Sequence, residues 1–153
     1  MVQFDSLELL KGKARPHYLI GNGIYEKLEE NKHKLTVNVF FPSLRDSIGD
    51  RAKFHIPHVN MADAYFGLWN SMHVLMNYVD FSFPLARKGE HLNLKPIPVD
   101  TELTLETIIE TFPNTNSSFD IKGNYVAHYY QDNKMLMRFR GNSVAKSGKL
   151  FQE

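Results

Sequence analysis

The chain has no cysteine. That excludes disulfides, thiolate metal sites and a cysteine nucleophile, and it suits a cytoplasmic location. It also lacks an excess of either charge: 18 Lys and Arg stand against 17 Asp and Glu, a net charge of +1 with seven His uncounted. So balanced a surface gives no electrostatic case for nucleic acid or for a membrane surface. The short basic patches Lys11-Gly12-Lys13-Ala14-Arg15 and Arg138-Phe139-Arg140 read as solvated faces. No apolar run is free of polar residues over the length of a bilayer. The longest, Met61 to Tyr78, carries Asp63, Asn70, His73 and Asn77, so no membrane span is expected. Met1 to Glu8 holds acids and no apolar core run, so a signal peptide is not expected either. Internal repeats, a Gly-x-Ser-x-Gly elbow and a phosphate loop are all missing.

What remains is an ordinary globular composition, 42% hydrophobic and 23% charged. At 153 residues the chain has room for a real core and is expected to form one domain over 1–153. Residues 5–12 suit a short helix capped by Asp5 or Ser6 and stopped by Gly12. His17 to Leu28 reads as a strand broken by Gly21 and Gly23, which predicts a bulge or a close backbone approach. After a turn at 29–32, Lys34 to Phe41 alternates apolar and polar and pairs with it as a hairpin. Residues 42–59 are loop. Phe81 to Gly89 reads as a connector and Glu90 to Ile97 as a short strand. Thr101–Phe112, Phe119–Tyr130 and Met135–Ala145 are strands separated by turns.

Between the two groups of strands lies a segment that is apolar nearly all round, Met61 to Tyr78. As a helix it would be buried on every side. His55-Ile56-Pro57-His58-Val59-Asn60 leads into it. Asn60-Met61-Ala62-Asp63 forms a capping box, with Asn60 as N-cap and Asp63 three residues on. A positive helix end beside His, Asn and Asp is suited to polarising a carbonyl or holding an anion. Asp63, Asn70 and Asn77 are seven apart and share one helix face, with Gly67 leaving space near that stripe. It reads either as a polar lane or as a hydrogen-bonded seam, and the seam suits Asn77. Tyr65, Phe66 and Trp69 read as core before ligand platform. His55 and His58 would need further ligands to hold a metal, so neither a metal nor a cofactor is expected.

The order of strands around one helix resembles the hot-dog fold, an α+β architecture in which a curved antiparallel sheet wraps one long central helix. Arg15-Pro16-His17-Tyr18-Leu19-Ile20, Leu94 to Leu103 and Tyr125 to Leu136 resemble segments of its β-hydroxyacyl carrier-protein dehydratase branch. Gly67, Leu68, Trp69 and Asn70 stand where that branch places its helix acid. His58-Val59-Asn60-Met61-Ala62-Asp63 followed by Asn70 is similar to the FcoT-like fatty-acyl thioesterase family, with Val59 in place of an aromatic and Phe54 where a loop Tyr is common. The resemblance implies an acyl thioester of coenzyme A or acyl carrier protein as substrate. His58, Asn60, Asp63 and Asn70 would be catalytic, and His55, Phe66, Gly67 and Trp69 would contact substrate. Hydrolysis is the leading reading. A hydratase, dehydratase or conjugate-addition enzyme with His58 as acid–base group, and a non-catalytic acyl-binding or dimerisation module, remain alternatives. Wrapping one sheet on one helix leaves a long edge strand, so a homodimer or dimer of dimers is expected.

Overall fold

The computed structural model describes residues 1–12, 18–42, 59 and 61–148, of which 83–86 by backbone alone. The elements run β1 (Val2–Asp5), α1 (Ser6–Leu10), β2 (Leu19–Glu29), β3 (Lys32–Phe40), α2 (Met61–Leu75), β4 (Phe81–Asn93), β5 (Glu102–Pro113), β6 (Ile121–Gln131) and β7 (Lys134–Ser147). Among the described residues the seven strands form one antiparallel sheet in the order β1-β2-β3-β5-β6-β7-β4. It is a curled sheet with few helices, and α2 packs against β2, β3, β5 and α1.

Period-two patterning decides which face meets α2. In β3 the buried residues are His33, Leu35, Val37 and Val39; in β5 they are Leu103, Leu105, Thr107 and Ile109. Gly123, Tyr125, Ala127 and Tyr129 continue the same layer in β6. Alternate residues point to opposite sheet faces, so one face is core and the other carries Lys34, Glu106, His128 and Arg138. On α2 the buried set is Ala64, Gly67, Leu68, Asn70, Ser71, Met72, Val74 and Leu75.

Local chemistry explains the turns. Asp5 caps α1 by accepting the Leu7 amide at 2.9 Å, and Gly12 follows at φ +76°. Gly21, at φ +62°, sits in the register shift between Ile20 and Ile24, which is the expected bulge. Asp132 and Asn133 both take positive φ between β6 and β7, the conformation of a two-residue hairpin whose twist matches its strands.

Four expectations are corrected. Phe81 to Gly89 is not a connector, because β4 runs unbroken from Phe81 to Asn93. Its Pro84 and Gly89 are tolerated since β4 is an edge strand with register shifts at Ser82/Leu85 and Ala86/Lys88. Beyond it, residues 94–97 leave the sheet, held by the Leu94 and Lys95 amides on the Leu136 carbonyl. β1 adds a seventh strand at the opposite edge. The central helix ends at Leu75 and continues only as turns to Tyr78. Nor is it buried on every side: Tyr65, Phe66 and Trp69 are 37%, 41% and 45% exposed within the single chain.

Two histidines tie the fold to pH. His33 lies in the core against Tyr25, whose hydroxyl is 2.8 Å from Nδ1, with Phe81 edge-on and Lys27 and Glu30 near. His128 lies between Glu106 and Arg138 beside Tyr130, its Nδ1 buried without a hydrogen-bond partner. Burial lowers both from the ordinary value of 6.5. The unfolded chain therefore takes up protons first as pH falls. Stability held above the ordinary histidine value is expected to decline from about pH 7 to about pH 5. Urea midpoints across that range measure it, and a midpoint that rises on acidification contradicts it.

Candidate active site

α2 begins after Val59, which is buried and donates its amide to the Ile97 carbonyl at 2.9 Å. The chain is thus pinned to the sheet periphery one residue before Asn60. His55, His58 and Asn60 lie outside the described residues. The remaining candidates, Asp63 and Asn70, occupy the first and third turns of α2 on one face.

Tyr18 joins them. Its hydroxyl donates to Asp63 Oδ1 at 2.5 Å, and its amide donates to Asn70 Oδ1 at 3.0 Å. The residue is itself held in place: its carbonyl accepts the Phe40 amide at 2.9 Å, and its ring leans on Phe41 with centroids 4.7 Å apart. One residue ahead of β2 thus positions a carboxylate near the positive end of a 15-residue helix and a carboxamide two turns further along the same face. Asn70 is 2% exposed, whereas Asp63 is half-buried. They mark the border between the buried face of α2 and the exposed face of Phe66 and Trp69. A carboxylate so oriented can accept a proton, and a carboxamide can hold a carbonyl or a water. Asn77 behaves otherwise. Its side chain donates to the His73 and Val74 carbonyls at 3.2 and 3.0 Å, so it finishes the helix rather than extending the stripe.

Tyr129 supports the helix from below. Its hydroxyl donates to the Ala64 carbonyl at 2.7 Å, and it is fully buried beside Phe41 and Phe139. Burial pushes the phenol far above its usual range, so it stays protonated and keeps donating. The space that Gly67 leaves is taken by this hydroxyl and the Phe41 ring. Trp69 meets His73 edge-on, and Tyr65 meets Phe139. Among the described residues no cluster of three or more His, Asp or Glu side chains is placed to hold a metal, and no helix is long and apolar enough to cross a membrane.

Sequence reasoning missed Tyr18 and Tyr129. Tyr129 falls in the inward phase of its strand, so its hydroxyl had to find a buried partner, but nothing local names that partner. Tyr18 meets residues 45 and 52 positions away.

No protein-family model matches the sequence, and no curated protein matches it. Solved structures do match the fold. A thioesterase superfamily protein aligns at TM-score 0.50 and 13% identity over 72% of this chain, which spans 48% of that protein's length. The Escherichia coli PaaI protein from the phenylacetic acid degradation operon aligns at 0.50 and 14% over 80% of this chain and 82% of its own. A hypothetical thioesterase from Streptococcus pneumoniae, solved with coenzyme A, aligns at 0.50 and 12% over 84% of this chain and 91% of its own. These likenesses are of fold: a curled antiparallel sheet with few helices, as in hot-dog structures.

Proposed function

We propose that residues 1–153 form a single hot-dog domain that hydrolyses acyl thioesters of coenzyme A or acyl carrier protein in the cytoplasm, in a branch similar to the FcoT-like thioesterases. The observation that carries this is the convergence of Asp63 and Asn70 on Tyr18 beside the N-terminal end of α2. In this reading the thioester carbonyl faces the open amides of the first helical turn, which stabilise the oxyanion as it forms. Asn60 and Asn70 position the carbonyl or the water. Asp63 or His58 takes the proton as water attacks the carbonyl carbon, the carbon–sulfur bond breaks, and the thiol leaves. His55, Phe66 and Trp69 border the acyl chain, and Gly67 shapes its wall through Tyr129. The hot-dog fold and the coenzyme A bound in the Streptococcus pneumoniae structure support this choice of substrate.

A panel of acyl-CoAs from short to long chains, assayed for free thiol, tests it. Thiol release well above background is expected. Its absence throughout, with water added to or lost from enoyl or hydroxyacyl thioesters by mass spectrometry, would point to the hydratase reading instead.

The site calls for a second copy of the chain. Among the described residues the outer edge of β4 has no paired strand, and Tyr65, Phe66 and Trp69 present an apolar face beside Asp63 and Asn70. A two-fold dimer would cover both and close the acyl site between subunits, lengthening the buried part of the helix surface. Trp69 is the sole tryptophan, so its fluorescence reports on that face alone. Emission typical of a buried indole at micromolar concentration, shifting to the red on dilution as sedimentation falls from dimer to monomer, is expected. A solvent-exposed spectrum at every concentration contradicts the dimer.

A further inference from the structure

The sheet face turned away from α2 carries a cavity of about 360 Å³ that the acyl site does not use. Phe112, Asn114, Lys122, Asn124 and Asn142 line it from β5, β6, β7 and the β5–β6 turn, and Arg87 closes it from β4. The register explains how they meet. Phe112, Lys122 and Val144 form one outward row across three strands, and Asn124, Asn142 and Lys88 form the next. Between Ala86 and Lys88 the β4 register slips, leaving Arg87 as the extra residue of a bulge, a device that re-aims a side chain.

We infer that this cavity binds the phosphate group of a small organic molecule. Among the described residues two cations and three carboxamides line it, and no carboxylate does. Two of the carboxylates around it are occupied. Glu90 is paired with Arg140, and Asp120 accepts the Ser147 hydroxyl and amide. Glu110, across from Asn124, is not among the lining residues. Lys88 and Lys146 add positive charge on the adjoining strands. Guanidinium and ammonium groups together suit a dianion, the first by paired hydrogen bonds and the second as a point charge. The volume lies at the low end of small-molecule sites and exceeds what a bare phosphate fills, so the ligand carries an organic part. Phe112 offers that part a ring face, and the carboxamides offer it both donors and acceptors. The inference is independent of the thioesterase reading, because the cavity and α2 lie on opposite faces of the sheet.

The test uses the full chain, isotope-labelled, titrated with AMP, adenosine and inorganic phosphate while amide signals are followed. AMP and phosphate should shift the side-chain amides of Asn114, Asn124 and Asn142. Adenosine should bind at least about ten-fold more weakly than AMP, since it lacks the charge. Arg87→Gln and Lys122→Gln, both at the protein surface, should each weaken AMP several-fold with the melting temperature unchanged, and added salt should weaken it in the unaltered chain. Adenosine binding as tightly as AMP, AMP binding insensitive to salt and to both substitutions, or no shift with any of the three, would overturn the inference.

Discussion

Asp63→Asn is expected to lower acyl-thioester turnover by roughly 10²–10⁴-fold, the usual worth of a general base, while the melting temperature hardly moves. The substitution keeps the shape of the side chain and an oxygen for the Tyr18 hydroxyl, which approaches Asp63 Oδ1 at 2.5 Å. It removes only the capacity to accept a proton near neutral pH. Tyr18→Phe provides the graded companion. Its amide bond to Asn70 survives, because that bond belongs to the backbone. The carboxylate loses its orienting donor, so turnover should fall by about ten-fold, with a stability loss of about 1 kcal/mol. Steady-state kinetics and thermal melts on the three proteins separate the roles. If Asp63→Asn retains full activity while melting normally, Asp63 serves only the helix end and proton transfer belongs elsewhere.

Gly67→Ala should destabilise the chain by about 1–3 kcal/mol, against the direction set by helix propensity. At an open helix position the same change stabilises by up to about 1 kcal/mol. Here the added methyl would collide with the Tyr129 hydroxyl and come within 3.2 Å of the Phe41 ring. Tyr129 cannot retreat, being fully buried and bonded to the Ala64 carbonyl. Tyr129→Phe alone should cost about 0.5–1.5 kcal/mol through that lost hydrogen bond. Combined, the two changes should cost less than their sum, because removing the hydroxyl makes room for the methyl. Urea denaturation of the two single variants and the double variant measures the coupling. Strict additivity, or a stabilised Gly67→Ala, would mean that Tyr129 does not hold the helix as described.

Much of the sheet was legible along the chain because its signals are local. Alternation in 34–41 and 101–112, the strand read at 135–145, and the turn at Asp132-Asn133 depend only on neighbours and match β3, β5, β7 and the β6–β7 turn. β4 was hidden by Pro84 and Gly89, which punctuate a central strand but are tolerated at a sheet edge. Gly89 even has a packing role, since it faces Gly141 across the ladder where the Tyr125 hydroxyl lies close to both. β1 is four residues long and forms only because β2 is beside it. The apolar character of Tyr65, Phe66 and Trp69 was plain, but hydropathy does not distinguish a surface covered by its own chain from one left open. Within the site, Asp63 and Asn70 could be placed on one face by counting. Tyr18 could not be found that way, because only the three-dimensional register of β2 against α2 brings it there.

Acyl thioesters are expected to bind at the N-terminal end of α2 beside Tyr18, and a non-hydrolysable acyl-CoA thioether tests this most directly. Hydrogen exchange of the chain with and without the saturating analogue would be compared residue by residue. Protection is expected over Tyr18 to Ile20 and over the first three turns of α2, Met61 to Asn70, and it should persist in Asp63→Asn, which binds but does not turn over. Protection confined to the outward face of β5 to β7, or none anywhere at saturation, would contradict the central claim.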